Sequence, residues 1–153
     1  MTGITVTLSD PTAPEARALI AALDHYLGQL YQAEENHLLD PERLKAPDVR
    51  FLLARIDGRA VGCGALRIDS SGYAEIKRMY VDPIHRGRGI AGSIMATLED
   101  LAQAEGIKLL KLETGDRQRE AVGLYRQLGF TPCGAFGDYR CGGEASIFME
   151  KHL

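Results

Sequence analysis

A chain of 153 residues, 45 % hydrophobic and 25 % charged with a formal net charge of −3, carries enough apolar material for one folded domain and lacks the basic excess of a general polyanion binder. That balance excludes a chain disordered along its length and argues against nucleic-acid partners. Three cysteines (Cys63, Cys133, Cys141) and four histidines (His25, His37, His85, His152) show neither a disulfide framework nor metal-ligand spacing, so no metal is expected.

The first residues lack a charged segment followed by an apolar run, and no apolar stretch approaches the length of a membrane span. The expectation is a cytoplasmic protein without a membrane partner. Ile4 to Leu8 alternates apolar and polar residues and predicts a strand, ended by Ser9-Asp10-Pro11. From Ala13 to Leu30, the residues Ala18, Leu19, Ala22, Leu23, Tyr26 and Leu30 recur at helical spacing. A short helix or loop follows from Tyr31 to Leu39, and Pro41 and Pro47 bracket a connection.

Val49 to Asp57 and Ala60 to Ile68 read as a hairpin about the two-residue turn signal Asp57-Gly58. Ser70-Ser71-Gly72 turns the chain into a third strand, Tyr73 to Val81, and such short loops imply antiparallel neighbours. Asp82-Pro83 stops that strand. A glycine-containing loop then enters a helix striped by Ile90, Ile94, Leu98, Leu101 and Ala102, with Gly106 as its stop. Lys108 to Thr114 predicts a strand parallel to the previous one, because a helix separates them. Glu120 to Leu128 predicts a second short helix with Ala121, Leu124, Tyr125 and Leu128 on one face, closed by Gly129. Phe130 to Cys133 and Ala145 to Lys151 are the last strands, joined by a glycine-containing loop. No repeat or linker divides the chain, so a single α/β domain over residues 1–153 is expected.

The loop Arg86-Gly87-Arg88-Gly89-Ile90-Ala91 is where chemistry first shows. The first turn of a helix has backbone N–H groups without internal partners, and the helix dipole adds partial positive charge there. A pyrophosphate can accept those N–H groups, while Gly87 and Gly89 let the backbone approach it and Arg86 and Arg88 add charge. Lys77, Arg78, His85, Arg86 and Arg88 form a local basic cluster in a net-acidic chain, which suits a small anionic ligand. The spacing differs from a dinucleotide fingerprint, and the Gly-Lys-Ser/Thr of a nucleotide-binding Walker loop is absent. An ordinary tight turn is the alternative.

With Met79-Tyr80-Val81-Asp82-Pro83 before this loop, Arg86-x-x-Gly89-x-Ala91 within it and Ala121-x-x-Leu124-Tyr125-x-x-x-Gly129-Phe130 after it, the chain resembles the GNAT superfamily of N-acetyltransferases. The resemblance spans the chain in element order and is most specific from Tyr73 to Phe130. The segments Phe136-Gly137-Asp138-Tyr139 and Phe148-Met149-Glu150-Lys151 also look like a bacterial subgroup of mostly uncharacterised small-molecule members. The resemblance implies a GNAT-like mixed sheet, flanked by helices and splayed between the strands ending at Val81 and Thr114. Acetyl-CoA would lie in the wedge. Its pantetheine arm would pair with backbone at Met79, Tyr80 and Val81, one of whose N–H groups would polarise the thioester. Its pyrophosphate would sit on the N–H groups of Arg86, Gly87, Arg88, Gly89, Ile90, Ala91 and Gly92.

Direct acetyl transfer to an amine needs a neutral nucleophile, a stabilised tetrahedral intermediate and a proton for the departing thiolate. The resemblance makes Tyr125 the candidate acid, although a core role would also explain its apolar face. It makes Glu75 the candidate base. Strict alternation would put Glu75, Lys77, Met79 and Val81 on one strand face, and a Glu75 pair with Lys77 or Arg67 at the surface is the competing account. Gln118 stands where the family often has asparagine and is a weaker cofactor contact. The acceptor pocket would draw on Tyr26, Tyr31, His37, Arg78, Asp138 and Tyr139. Cys141 has no histidine spaced to activate it. The expected acceptor is a small-molecule or amino-acid-like amine, and dimers common in the family make a homodimer an open alternative. A protein N-terminus or lysine as acceptor, and a non-enzymatic CoA-binding module, are the rival readings.

Overall fold

The computed structural model describes residues 3–30, 40–137 and 146–153. In chain order these form strand β1 (Ile4–Leu8), helix α1 (Pro14–Leu30), strands β2 (Val49–Ile56), β3 (Arg59–Ile68) and β4 (Ala74–Val81), helix α2 (Ile90–Ala104), strand β5 (Leu109–Gly115), helix α3 (Arg119–Gln127), and strands β6 (Thr131–Pro132) and β7 (Ser146–His152). All seven strands join one mixed sheet in the order β1-β2-β3-β4-β5-β7-β6. The last strands are thus rearranged: β7 lies against β5, and β6 is a two-residue edge. The predicted segment Tyr31 to Leu39 lies outside the described residues.

Local chemistry accounts for the antiparallel half. Asp57 and Gly58 take φ of 51° and 76°, the left-handed pair that a two-residue hairpin requires. β4 and β5, separated by α2, pair in parallel as the loop lengths imply. Helix α2 ends at Glu105, and Gly106 at φ 77° lets the Ile107 N–H turn back to the Ala102 carbonyl at 2.9 Å. Its buried stripe is Ile90, Ile94, Met95, Leu98 and Ala102; Met95 takes a core place that the predicted stripe gave to Leu101, which is half-buried.

The sheet separates two apolar layers. Leu52, Leu66, Ala74, Ile76, Leu110, Leu112 and Met149 pack with the α2 stripe and with Tyr125 and Phe130. Phe51, Leu53, Cys63 and Ala65 meet Ala16, Leu19 and Ile20 of α1 on the other face. Gly64 sets how closely α2 approaches: a Cβ there would lie 2.6 Å from Met79 Sδ and 2.7 Å from Ile94 Cγ2. Gly64→Val should therefore cost about 1–3 kcal/mol by overpacking. A lower urea midpoint at unchanged slope is the expected result, and an unchanged midpoint would count against close approach.

Two features open the sheet at its centre. The parallel pairing of β4 with β5 stops at Ile76 opposite Leu112, although both strands run on. The register of β4 on β3 also slips, since Ala65 faces Lys77 whereas Cys63 faces Tyr80. One residue of β3, Gly64, therefore opposes two of β4, a β-bulge, and Arg78 takes φ 58° within it. A non-glycine residue there costs roughly 1–2 kcal/mol.

The bulge overturns the expected alternation. Glu75, Lys77, Met79 and Val81 do not share one face: Met79 and Val81 pack with Ile76 toward α2, while Tyr80 packs toward α1. An extra residue shifts the two-residue period by one, so every side chain beyond it changes sides.

Candidate functional site

The loop from Arg86 to Ala91, where an anion site is expected, leads from β4 into the N-terminus of α2. Asp82 accepts the Ile84 N–H through its side chain at 3.1 Å, starting a 3-10 turn over Pro83–His85. Gly87 and Gly89 both hold left-handed φ, 82° and 77°. Gly89 is the N-cap of α2, so the N–H groups of Ile90, Ala91 and Gly92 open the helix without a capping side chain. The Arg86 Nε donates to the Val81 carbonyl at 3.2 Å, tying the loop to the end of β4.

A cleft of about 330 Å³ runs from this loop along the wedge that opens at β4 where its pairing with β5 stops. Its described lining includes Met79, Tyr80 and Val81 from β4; Arg86, Gly87, Gly89, Ile90, Ala91 and Gly92 from the loop and α2; and Gln118 and Tyr125 from α3 and its N-cap. The expected donor-site residues are thereby brought together, with Arg88 as the exception: it is exposed and off this lining. Leu23 and Tyr26 of α1 form a further wall, and Glu120, Ala121 and Leu124 complete the α3 side. Leu23, Glu120, Ala121 and Leu124 were missing from the expected site. The signal for Ala121 and Leu124 was their helical spacing with Tyr125; Leu23 and Glu120 had none that local pattern could supply.

Tyr125 is 7 % exposed, and its ring meets Phe130 edge-on at 5.8 Å between centroids. Burial pushes its phenol well above the ordinary tyrosine value, so the hydroxyl stays protonated through neutral pH. Among the described lining residues it carries the one hydroxyl on the α3 side.

Glu75 is only 2 % exposed and lies off the described lining of the cleft. Its two carboxylate oxygens meet Arg67 Nη2 at 3.3 Å and Lys77 Nζ at 3.2 Å. The expected surface pair is in fact buried, because the carboxylate sits within an in-register row. Arg67 of β3 faces Glu75 of β4, which faces Lys111 of β5, which faces Glu150 of β7. Lys111 Nζ reaches Glu150 at 3.2 Å. Alternating charge across four strands is the favourable order for such neighbours.

Arg78, expected at the acceptor pocket, is buried instead. It is 7 % exposed, and its guanidinium donates to Asp24 of α1 at 2.5 Å. The bulge turns it away from the described cleft lining. Cys63, 0 % exposed, donates its thiol to the Arg78 carbonyl at 3.2 Å; burial pushes that thiol up to about 12, which keeps the donor protonated. Tyr31, His37, Asp138, Tyr139 and Cys141 lie outside the described residues.

The model of the Acetyltransferase (GNAT) family matches residues 17–130. The IAA acetyltransferase of Azospirillum brasilense is 47 % identical, with 100 % of both chains covered. A crystal structure from Klebsiella pneumoniae, of a protein bearing the name acyl-CoA N-acyltransferase, superposes with a TM-score of 0.83 at 38 % identity, covering 98 % of this chain and 97 % of the other. A GNAT family acetyltransferase of Elizabethkingia anophelis, solved with acetyl-CoA bound, shares the fold at 19 % identity and a TM-score of 0.68, with 98 % of each chain covered.

Proposed function

This chain belongs to the GNAT family and is an acetyl-CoA-dependent acyltransferase, and from that premise we propose that it moves an acetyl group directly to the amine of a small-molecule acceptor. The observation carrying this reading is the single cleft that joins the β4 backbone, the α2 N-terminus, Tyr125 and the α1 wall. Direct transfer requires donor and acceptor side by side, and the wedge offers a polar donor end and a separate wall of Leu23 and Tyr26.

In this scheme the N–H groups of Ile90 to Gly92 and the flanking glycines hold the pyrophosphate, with Arg86 beside it. Gln118 offers its amide to the pantetheine arm. Bound acetyl-CoA supplies the thioester; one backbone N–H between Met79 and Val81 polarises its carbonyl as the amine attacks. The C–N bond forms, the C–S bond breaks, and Tyr125 gives its proton to the leaving thiolate. For Glu75 to take the proton lost by the amine, water has to carry it, since the carboxylate is buried between two cations. Glu120 is the only carboxylate among the described lining residues, and it favours an ammonium-bearing acceptor approaching from solvent. The name of the Azospirillum relative supports a small molecule over a protein as acceptor.

Release of free thiol from acetyl-CoA across a panel of small amines, amino acids and peptides tests the proposal. Turnover with a small amine and an acetylated product by mass is the expected result. Turnover confined to peptides would transfer the reading to a protein acceptor, and cofactor binding without turnover would leave only a binding module.

A further inference from the structure

Acetyl transfer as described leaves a buried cation without a task. Arg78 occupies the left-handed region at φ 58°, where β4 slips on β3. A strand residue in that region persists only where its surroundings hold it, and a buried guanidinium is costly unless it is paired and hydrogen-bonded. The contact with Asp24 meets both needs, from a residue 54 positions earlier in the chain. The side chains are unequal partners, 3 % exposed for Arg78 and 45 % for Asp24, so the helix carboxylate reaches from solvent to a fixed cation. The Cys63 thiol holds the Arg78 carbonyl from the β3 side, pinning the same peptide at its other end.

The neighbours of the pair indicate its use. Immediately after Arg78 comes Met79, where the cleft lining on β4 begins. Beside Asp24 on α1 are Leu23 and Tyr26, which line the cleft from the other side. The ion pair therefore ties the acceptor-side helix to the peptide units that would face the thioester. We infer that Asp24 and Arg78 are positioning residues, which lock the bulge so that a backbone N–H between Met79 and Val81 points at the acetyl carbonyl and which set the spacing of α1 from it. Neither side chain touches the reacting atoms; both act through the backbone. The inference rests on the acetyl-transfer reading above.

The test uses acetyl-CoA labelled with carbon-13 at the thioester carbonyl, bound to the full chain, with the carbonyl stretch read by infrared difference spectroscopy. It needs no acceptor. Asp24→Asn removes the charge of one partner. Arg78→Gly removes the other while leaving a residue at ease at φ 58°, so a folded variant remains if the first is unstable. In the wild type the stretch of bound acetyl-CoA should fall below that of the free thioester. Both variants should lose most of that shift while the affinity for acetyl-CoA changes less than about threefold, and turnover on an amine should drop about tenfold with KM for acetyl-CoA unmoved. A wild-type shift retained in both variants would overturn the inference. So would a loss of shift matched by an equal loss of affinity and thermal midpoint, which is what a merely structural pair predicts. Wild-type binding without any shift removes this inference alone, whereas no binding of acetyl-CoA removes the cofactor reading beneath it.

Discussion

Gly89→Val is expected to weaken acetyl-CoA binding by about 100-fold, roughly 2.8 kcal/mol at about 1.4 kcal/mol per decade. Gly89 caps α2 at φ 77°, a conformation in which a β-branched residue is an outlier. An added Cβ would meet nothing within 4 Å beyond its own chain neighbours among the described residues, so the folded chain has room for it. The strain is relieved by turning the peptide, and that turns the N–H groups opening α2 away from the pyrophosphate they would hold. Gly89 is also one of the residues lining the cleft. Calorimetric titration with acetyl-CoA measures the effect, with a thermal melt to establish that the variant is folded. Gly89→Asn separates the two causes, since asparagine tolerates left-handed φ: an intermediate loss is expected, and a loss equal to that of valine would assign the effect to the side chain. Wild-type affinity in Gly89→Val would sink the loop assignment.

Tyr125→Phe should lower kcat by about 100-fold or more, the contribution of a positioned general acid, with acetyl-CoA affinity almost unchanged. The phenyl ring keeps the edge contact with Phe130 and the packing of α3, so the change is confined to one hydroxyl. A raised phenol pKa makes tyrosine a weaker acid in water. The same burial disfavours the thiolate leaving beside it, so donor and acceptor are displaced in the same direction and the transfer stays matched. A fall in acetyl-CoA affinity as large as the fall in kcat, or unchanged turnover, would remove Tyr125 from the mechanism.

The same shift has a stability consequence with a definite sign. The folded state holds the Tyr125 proton more tightly than the unfolded chain, whose phenol titrates near pH 10. That contribution is fully present below about pH 10 and is lost as pH rises toward the folded value. Wild-type stability should therefore fall more steeply above about pH 10 than that of Tyr125→Phe, while the two run parallel at neutral pH.

Much of this site was legible in the chain because its parts are local. The glycines of residues 87 and 89, the stop at Asp82-Pro83 and the apolar stripe of α2 all act within a few residues of themselves, and their geometry followed. The spacing of Ala121, Leu124 and Tyr125 placed those residues on one helix face, and that face lines the cleft. Loop length alone separated the antiparallel strands from the parallel pair β4 and β5.

What the sequence by itself determined was the order of elements, the glycine-capped terminus of α2 and the family resemblance those two carry. Tertiary structure alone decided which way β4 presents its side chains. A bulge at a non-glycine residue leaves no mark in a two-residue period, because it is defined by the partner strand: Gly64 opposes both Arg78 and Met79. That slip placed Met79 and Val81 with α2 and buried Arg78 against Asp24. It left Glu75 in the paired rows, held between Arg67 and Lys77. Contacts across 54 residues, or across four strands in register, depend on the closed sheet, and periodicity along one segment carries no information about them.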